Sequence, residues 1–256
     1  MVTVRRMIRI VLPSYLLEAW RRTRLALRVL VGATDAYPRS RWAHHVIGFS
    51  QEGEDGILLR LFERQQIGTY VDVGAHHPQR FSNTYRLYLR GWSGINIDPA
   101  PGTKARFDAV RPRDMTLEVA VSDHGDVVPY TRFDEAALKT CEPDRASAQT
   151  ARVVDMTFVP ARRLSDILDA HLGVGRMIDV LSVDVEGHEL PVLRSNDWER
   201  YRPRIVLVEL LGMRGIGTVM QSDLHRFLIA TDYELFGKTV NTLLYQDRRL
   251  DGVRDA

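Results

Sequence analysis

A chain of 256 residues with 45% hydrophobic content is long enough to bury one substantial core. Its single cysteine, Cys141, excludes an intrachain disulfide, lies in no metal-ligand cluster and fits a reducing, cytoplasmic setting. The net charge of +2 conceals an asymmetry: residues 1 to 41 hold nine arginines against Glu18 and Asp35, a local +7, which leaves −5 for the remainder.

Residues 1–47 read as a basic amphipathic helical extension and linker, with the domain proper over 48–256. Apolar residues such as Leu16, Leu17, Trp20, Leu25 and Leu27 lie between the arginines. Arg9, Pro13 and Glu18 keep every run short of the ~18 to 20 apolar residues of a membrane span, and a signal peptide lacks its uncharged core and cleavage site. Two expectations remain for residues 1–33. They lie on an anionic membrane surface, the inner face of the membrane, or they pack on the domain or on a second subunit of a homo-oligomer. Nucleic acid is disfavoured because no stacking aromatics interleave the arginines and the rest of the chain is acidic.

The first helix is expected over Ile57 to Phe62, behind an acid-rich first turn at Glu52, Glu54 and Asp55 with Ser50 as its cap. Thr69 to Val73 then reads as a strand that closes on Gly74-Ala75-His76-His77-Pro78, and a second strand, Gly94 to Ile97, closes on Asp98. A glycine at the first strand end lets backbone approach a ligand, and a carboxylate about 20 to 30 residues on is placed to accept both hydroxyls of a ribose. Between them Phe81 to Leu89 reads as a helix ended by Gly91, opened by Ser82, Asn83 and Thr84.

A third strand is expected over Thr116 to Val121, ending on Ser122-Asp123, where ligands collect in a doubly wound sheet. Val127 to Phe133 is a further short strand, and Asp134 to Thr150 an irregular loop near the site. Arg162 to Ala170 reads as a helix capped by Ser165. The run Val180 to Val185 is apolar enough for a strand buried on both faces, yet it ends in Asp184-Val185-Glu186-Gly187-His188-Glu189. Unpaired charges cost several kcal/mol to bury, so such a cluster points to function. Asp184, Glu186 and His188 can take a proton from a hydroxyl, and Asp184 with Glu186 can instead hold a divalent cation such as Mg2+. Arg204 to Glu209 again closes on a carboxylate, so Asp72, Asp98, Asp123, Asp184 and Glu209 are expected on one rim. A helix over Ser222 to Ala230 and two strands, Tyr233 to Phe236 and Thr242 to Tyr245, predict a terminal hairpin that adds one antiparallel strand.

Taken together, Glu52 to Asp55, Val71-Asp72-Val73-Gly74-Ala75, Ile97-Asp98, Val119 to Asp123, Asp184 to Glu189 and Val208-Glu209 resemble the FkbM-type family of S-adenosylmethionine-dependent methyltransferases, over roughly Gly48 to Tyr245. The resemblance implies a class I methyltransferase fold: α/β, with a doubly wound, mostly parallel seven-stranded Rossmann-like sheet and an antiparallel C-terminal strand. It implies O-methylation of a hydroxyl on a small-molecule acceptor, a sugar, glycolipid or natural product. By position, Asp72, Gly74, Ala75 and His76 shape the methionine end of the cofactor pocket, Asp98 holds the ribose, and Ser122 and Asp123 lie near the adenine. Glu52 and Asn83 complete the cofactor set. Asp184, Glu186 and His188 face the acceptor, with His77 and Glu209 as its contacts. The chain departs from the family in carrying His76-His77-Pro78 where asparagine and glycine are common. A nicotinamide-dependent oxidoreductase is the alternative on strand pattern alone, although Gly-x-Gly-x-x-Gly is missing. A non-catalytic, membrane-recruited binding protein is the third.

Overall fold

In a computed structural model of the chain, the described residues are 47–133, 139–141, 153–173, 175–213 and 215–249. The chain divides into two units, Met1–Gly48 and Phe49–Ala256. The expectations for residues 1–33, and most of those for the loop from Asp134 to Thr150, lie outside the described residues.

The second unit runs α1 (Glu54–Leu61), β1 (Thr69–Val73), α2 (Tyr85–Leu89), β2 (Ser93–Ile97), α3 (Thr103–Val110), β3 (Met115–Leu117) and β4 (Ala120–Val121). It continues through β5 (Val127–Phe133), β6 (Lys139–Thr140), β7 (Val153–Arg162), α4 (Leu164–His171), β8 (Val180–Val183) and α5 (Glu189–Arg194). The chain then forms β9 (Ile205–Glu209), α6 (Ile216–Val219), α7 (Asp223–Ala230), β10 (Tyr233–Lys238) and β11 (Thr242–Asp247). Seven of the strands form one sheet in the order β3-β2-β1-β8-β9-β11-β10. All neighbours are parallel except β11, which is antiparallel to both β9 and β10. This is the doubly wound, mostly parallel sheet with a terminal hairpin that the strand pattern predicts.

Apolar strands buried on both faces require helices on both sides. On one face Val71, Leu181 and Val206 pack against Leu164 and Leu168 of α4, Val192 of α5 and Leu228 of α7. On the other, Tyr70, Val180 and Leu207 pack against Leu58 of α1, Tyr85 and Tyr88 of α2, and Trp92. The register aligns Val73 with Ile97 and Val183, and Val183 with Val208. Gly74, Asp98, Asp184 and Glu209 therefore stand one residue past the aligned positions, on one carboxyl edge.

The structure corrects several local expectations. The strand expected over Thr116 to Val121 breaks at Glu118-Val119, and β4 leaves the main sheet to join a second one, ordered β4-β7-β5-β6. The ten residues of β7 form a strand that the sequence reading passes over, since its alternating apolar side chains Val154, Met156 and Phe158 are exposed. Lys139–Thr140 is a strand, not irregular loop. The helix expected from Phe81 shortens to Tyr85–Leu89 because Phe81 adopts φ +58. Ser165 does not cap α4; the Leu164 N–H donates instead to the Ser195 hydroxyl at 3.0 Å. Ser50 is not the cap of α1 in position, which is Gly53. Its hydroxyl nevertheless accepts from the Gly53 and Asp55 N–H groups.

Candidate active site

A cavity opens at the carboxyl edge of the sheet, where ligands collect in open α/β sheets. It is lined by Val73-Gly74 and Ile97 at the strand ends, by His76 and Phe81 of the segment after β1, and by Asp184 to Glu186 with His188 after β8. Asp98-Pro99 and Val119 to Val121 also line it, as do Tyr130 of β5 and Cys141, the residue after β6.

The strand end at Gly74 is fixed by its neighbours on either side. The Gly74 N–H donates to the Ile97 carbonyl at 2.8 Å, and the Asp184 N–H donates to the Val73 carbonyl at 2.9 Å. Gly74 has φ +83, and a Cβ built there would lie 1.7 Å from the Asp184 carbonyl oxygen. The glycine is thus required by the crossing of two strand ends as well as by any ligand. His76 follows at φ +51, a left-handed conformation that asparagine or glycine takes easily and histidine takes at some cost. Its N–H donates to Asp98 at 3.0 Å, while the other Asp98 oxygen accepts from the Ala100 N–H at 2.8 Å. These two bonds from backbone on either side hold the carboxylate of Asp98 in the lining of the cavity.

Asp72 is buried behind this edge. It accepts the Thr84 hydroxyl proton at 2.7 Å and is also bonded by Ser182, whose oxygen accepts from the Asn83 amide at 3.1 Å. Burial raises its pKa, and the hydrogen bonds from Thr84 and Ser182, together with the charge of Arg111, oppose the rise. Asn83 therefore supports Asp72 through Ser182 rather than lining the cavity.

At the ends of β8 and β9 stands a carboxylate cluster. Asp184, Glu186 and Glu209 each bring one oxygen to within 4.8 Å of the others. Burial is the largest cause pushing Asp184 and Glu209 upward, and the charge of Glu186 adds to both; the charge of Asp184 raises Glu209 further, whereas the hydrogen bond with Glu209 opposes the rise at Asp184. The two carboxyl groups are hydrogen-bonded to each other, and each holds a proton more tightly than an isolated carboxylate. Glu186 has φ +54 and is followed by Gly187 at φ +107, a tight turn that presents the acid. Glu189 is a different case. It accepts from the Gly187 N–H at 2.9 Å and the Val185 N–H at 3.3 Å, closing this turn from behind, and burial raises it to about 7. The His188 ring lies 3.1 Å from the Ser122 hydroxyl and so ties the turn after β8 to the end of β4.

Asn83 is joined by Glu52, Ala75, His77 and Asp123, also expected at the site, in standing outside the cavity lining. Glu52 is at the terminal hairpin: its carboxylate accepts from the Thr239 hydroxyl, the Asn241 N–H at 2.8 Å and the Asn241 amide at 2.9 Å. The His77 ring faces its own turn, with Nδ1 accepting from the N–H groups of Gln79 at 3.1 Å and Arg80 at 3.0 Å. Burial, then Arg106, Arg80 and Arg111, lowers its pKa, and the residue is absent from the cavity lining. Asp123 sits beyond the cavity lining, with His124 3.2 Å from its Oδ1. Ala75 is buried below the lining, its N–H donating to the Ile97 carbonyl at 3.2 Å. Conversely, Gln51, Phe81 and Tyr130 line the cavity although nothing in their local sequence marks them.

The family model described as the methyltransferase FkbM domain matches residues 72–235. No curated protein matches the chain. Among solved structures, the C-terminal domain of precorrin-6Y C5,15-methyltransferase from Rhodobacter capsulatus is similar at 11% identity and a TM-score of 0.38, covering 76% of this chain and 88% of that one. A TehB-like SAM-dependent methyltransferase from Corynebacterium glutamicum is similar at 10% identity and a TM-score of 0.39, covering 90% and 98%. Likeness at that level carries no weight here, whereas the family match spans most of the sheet and every carboxylate of its rim. On that match, the chain belongs to the FkbM methyltransferase family.

Proposed function

We propose that the chain is an S-adenosylmethionine-dependent O-methyltransferase whose acceptor is a hydroxyl of a sugar, glycolipid or natural product. The observation that carries this reading is the cluster of Asp184, Glu186 and Glu209, whose oxygens lie within 4.8 Å of one another beside a cavity that Asp184, Glu186 and Asp98 line. Asp98 would take the ribose hydroxyls of the cofactor. The sulfonium and ammonium groups of the cofactor are cationic, so a carboxylate-rich edge attracts them. Bound there, S-adenosylmethionine would supply the methyl carbon to the acceptor oxygen and keep the electron pair of the broken carbon–sulfur bond on its sulfur, while Asp184 would take the hydroxyl proton. A base with affinity for a proton near the working pH suits that task. The rest of catalysis is positioning of the two reactants in line.

A second reading is favoured by the three convergent oxygens of Asp184, Glu186 and Glu209. An all-oxygen donor set fits a hard divalent cation such as Mg2+, which would polarise the acceptor hydroxyl. EDTA treatment followed by Mg2+ addition separates the two: loss and recovery of transfer supports the cation, and unchanged transfer supports the carboxylate acting alone. The Asp184→Asn variant tests both, since it is expected to bind cofactor and lose turnover by about a hundredfold or more, the size of a general-base contribution; near-normal turnover would contradict the assignment.

The acceptor class rests on the family and on the arginines of residues 1–33, which would hold the enzyme at the inner membrane face beside a lipid-linked glycan. Among the described residues no helix is long and apolar enough to cross a membrane. Mass spectrometry of envelope glycans and lipids from cells lacking the gene should show one lost methyl group on an oxygen.

A further inference from the structure

The residue after α3, Arg111, has no accessible surface, although a buried guanidinium is costly unless its charge and donors are all met. Asp114 lies 3.7 Å away as its counter-charge, and that carboxylate is in turn held by the Tyr70 hydroxyl, the Gly94 N–H and the Asn96 amide. The remaining donors of Arg111 converge on the segment between β1 and α2. Its Nε donates to the Pro78 carbonyl at 2.7 Å, Nη2 to the Ser82 hydroxyl at 2.6 Å, and Nη1 to the Thr84 hydroxyl at 2.9 Å. The rings of Tyr85 and Phe107 lie 5.1 Å from the guanidinium and complete its enclosure.

Two consequences follow from this geometry. Because Arg111 donates to the Thr84 oxygen, the single proton of that hydroxyl is left for Asp72, which accepts it at 2.7 Å. Because the same guanidinium holds Pro78 and Ser82, it fixes the loop from which His76 and Phe81 face the cavity. A planar fork of donors can satisfy a carbonyl and two hydroxyls at once, which a lysine ammonium at the same place cannot.

We propose that Arg111 is a positioning residue of the cofactor pocket, acting through the Thr84 hydroxyl on Asp72 and through Pro78 and Ser82 on the segment that carries His76 and Phe81. It touches neither cofactor nor acceptor, since it is absent from the cavity lining. The inference rests on the cavity being the S-adenosylmethionine site.

The test is titration calorimetry of the full chain with S-adenosylhomocysteine, using wild type, Thr84→Ser, Thr84→Val, Arg111→Met and the double variant that combines Thr84→Val with Arg111→Met, with thermal melts alongside. Thr84→Val and Arg111→Met are each expected to weaken binding about tenfold. Thr84→Ser, which keeps the hydroxyl, should stay within about threefold of wild type, and the double variant should bind no more weakly than Arg111→Met alone, as for residues acting in one relay. Wild-type affinity in Thr84→Val, or single effects that multiply to about a hundredfold in the double variant, would overturn the proposal. Should Arg111→Met fail to fold, the contrast between Thr84→Ser and Thr84→Val decides by itself. If wild type binds no S-adenosylhomocysteine at all, the cofactor reading falls first and this inference with it.

Discussion

Alanine at position 74 would put a methyl group where the Asp184 carbonyl oxygen already sits. The Cβ would lie 1.7 Å from that oxygen and 3.2 Å from a Val185 methyl, so reaching even 3.0 Å requires the two strand ends to part by about 1.3 Å. Holding alanine at φ +83 costs about 1–2 kcal/mol, and forcing the extra atom into a packed site about 1–3 kcal/mol more. The sum is a destabilisation of about 2–5 kcal/mol. At about 2–4 °C per kcal/mol for a domain of this size, the melting temperature falls by about 4–20 °C. The same displacement moves Asp184 away from the acceptor, and a shift of about 1 Å can cost about a hundredfold in rate. Circular dichroism melts and cofactor titration of Gly74→Ala measure both effects. A variant that melts within about 1 °C of wild type and binds S-adenosylhomocysteine normally would refute the idea that the Asp184 crossing sets this glycine.

The carboxylate cluster makes stability depend on pH with a definite sign. Asp184 and Glu209 are raised to about 7 and about 10, so the folded state holds more protons than the unfolded one above about pH 4. Their stabilising contribution is full below that point and is lost as pH rises through about 7 and then about 10; melts from about pH 5 to 10 should fall in wild type and flatten in Glu209→Gln, and equal slopes in the two proteins would contradict the assignment. If Asp184 is the base, kcat/KM rises with pH through about 7, and a flat profile from about pH 5 to 9 would exclude it. Glu52→Ala removes three hydrogen bonds to a carboxylate at the hairpin turn and should destabilise by about 1.5–3 kcal/mol without changing cofactor affinity by more than about threefold. A loss of affinity of about tenfold at an unchanged melting temperature would return Glu52 to the cofactor site.

Much of the sheet is legible in the sequence because β1, β2, β8 and β9 are apolar runs that stop on Gly74, Asp98, Asp184 and Glu209, and parallel pairing brings such endings to one edge. The terminal hairpin is equally plain, since two short strands follow a capped helix with only a turn between them. What escapes is whatever depends on partners far away in the chain. The strand β7 hides because Val153, Val154, Met156 and Phe158 are exposed while Val159 and Ala161 are buried, so its apolar pattern does not single out one core face. The fate of Thr116 to Val121 is decided by β7 capturing Ala120 and Val121, a pairing across about 40 residues that no local pattern announces. Glu52 looks like part of an acidic helix start until the hairpin turn, 187 residues on, arrives to use its carboxylate. Arg111 sits beside a proline among many surface arginines, and its burial follows only from the loop that folds over it. At the site itself, Asp98, Asp184 and Glu209 are readable as strand endings, whereas Asp72 and Asp123 stand off that edge and the roles of His77, Asn83 and Gly74 depend on which neighbour each one meets.

Calorimetric titration of the wild-type chain with S-adenosylhomocysteine and, separately, with NAD bears most directly on the methyltransferase assignment. One site per chain for S-adenosylhomocysteine and no heat of binding for NAD are expected; binding of NAD alone would contradict the assignment.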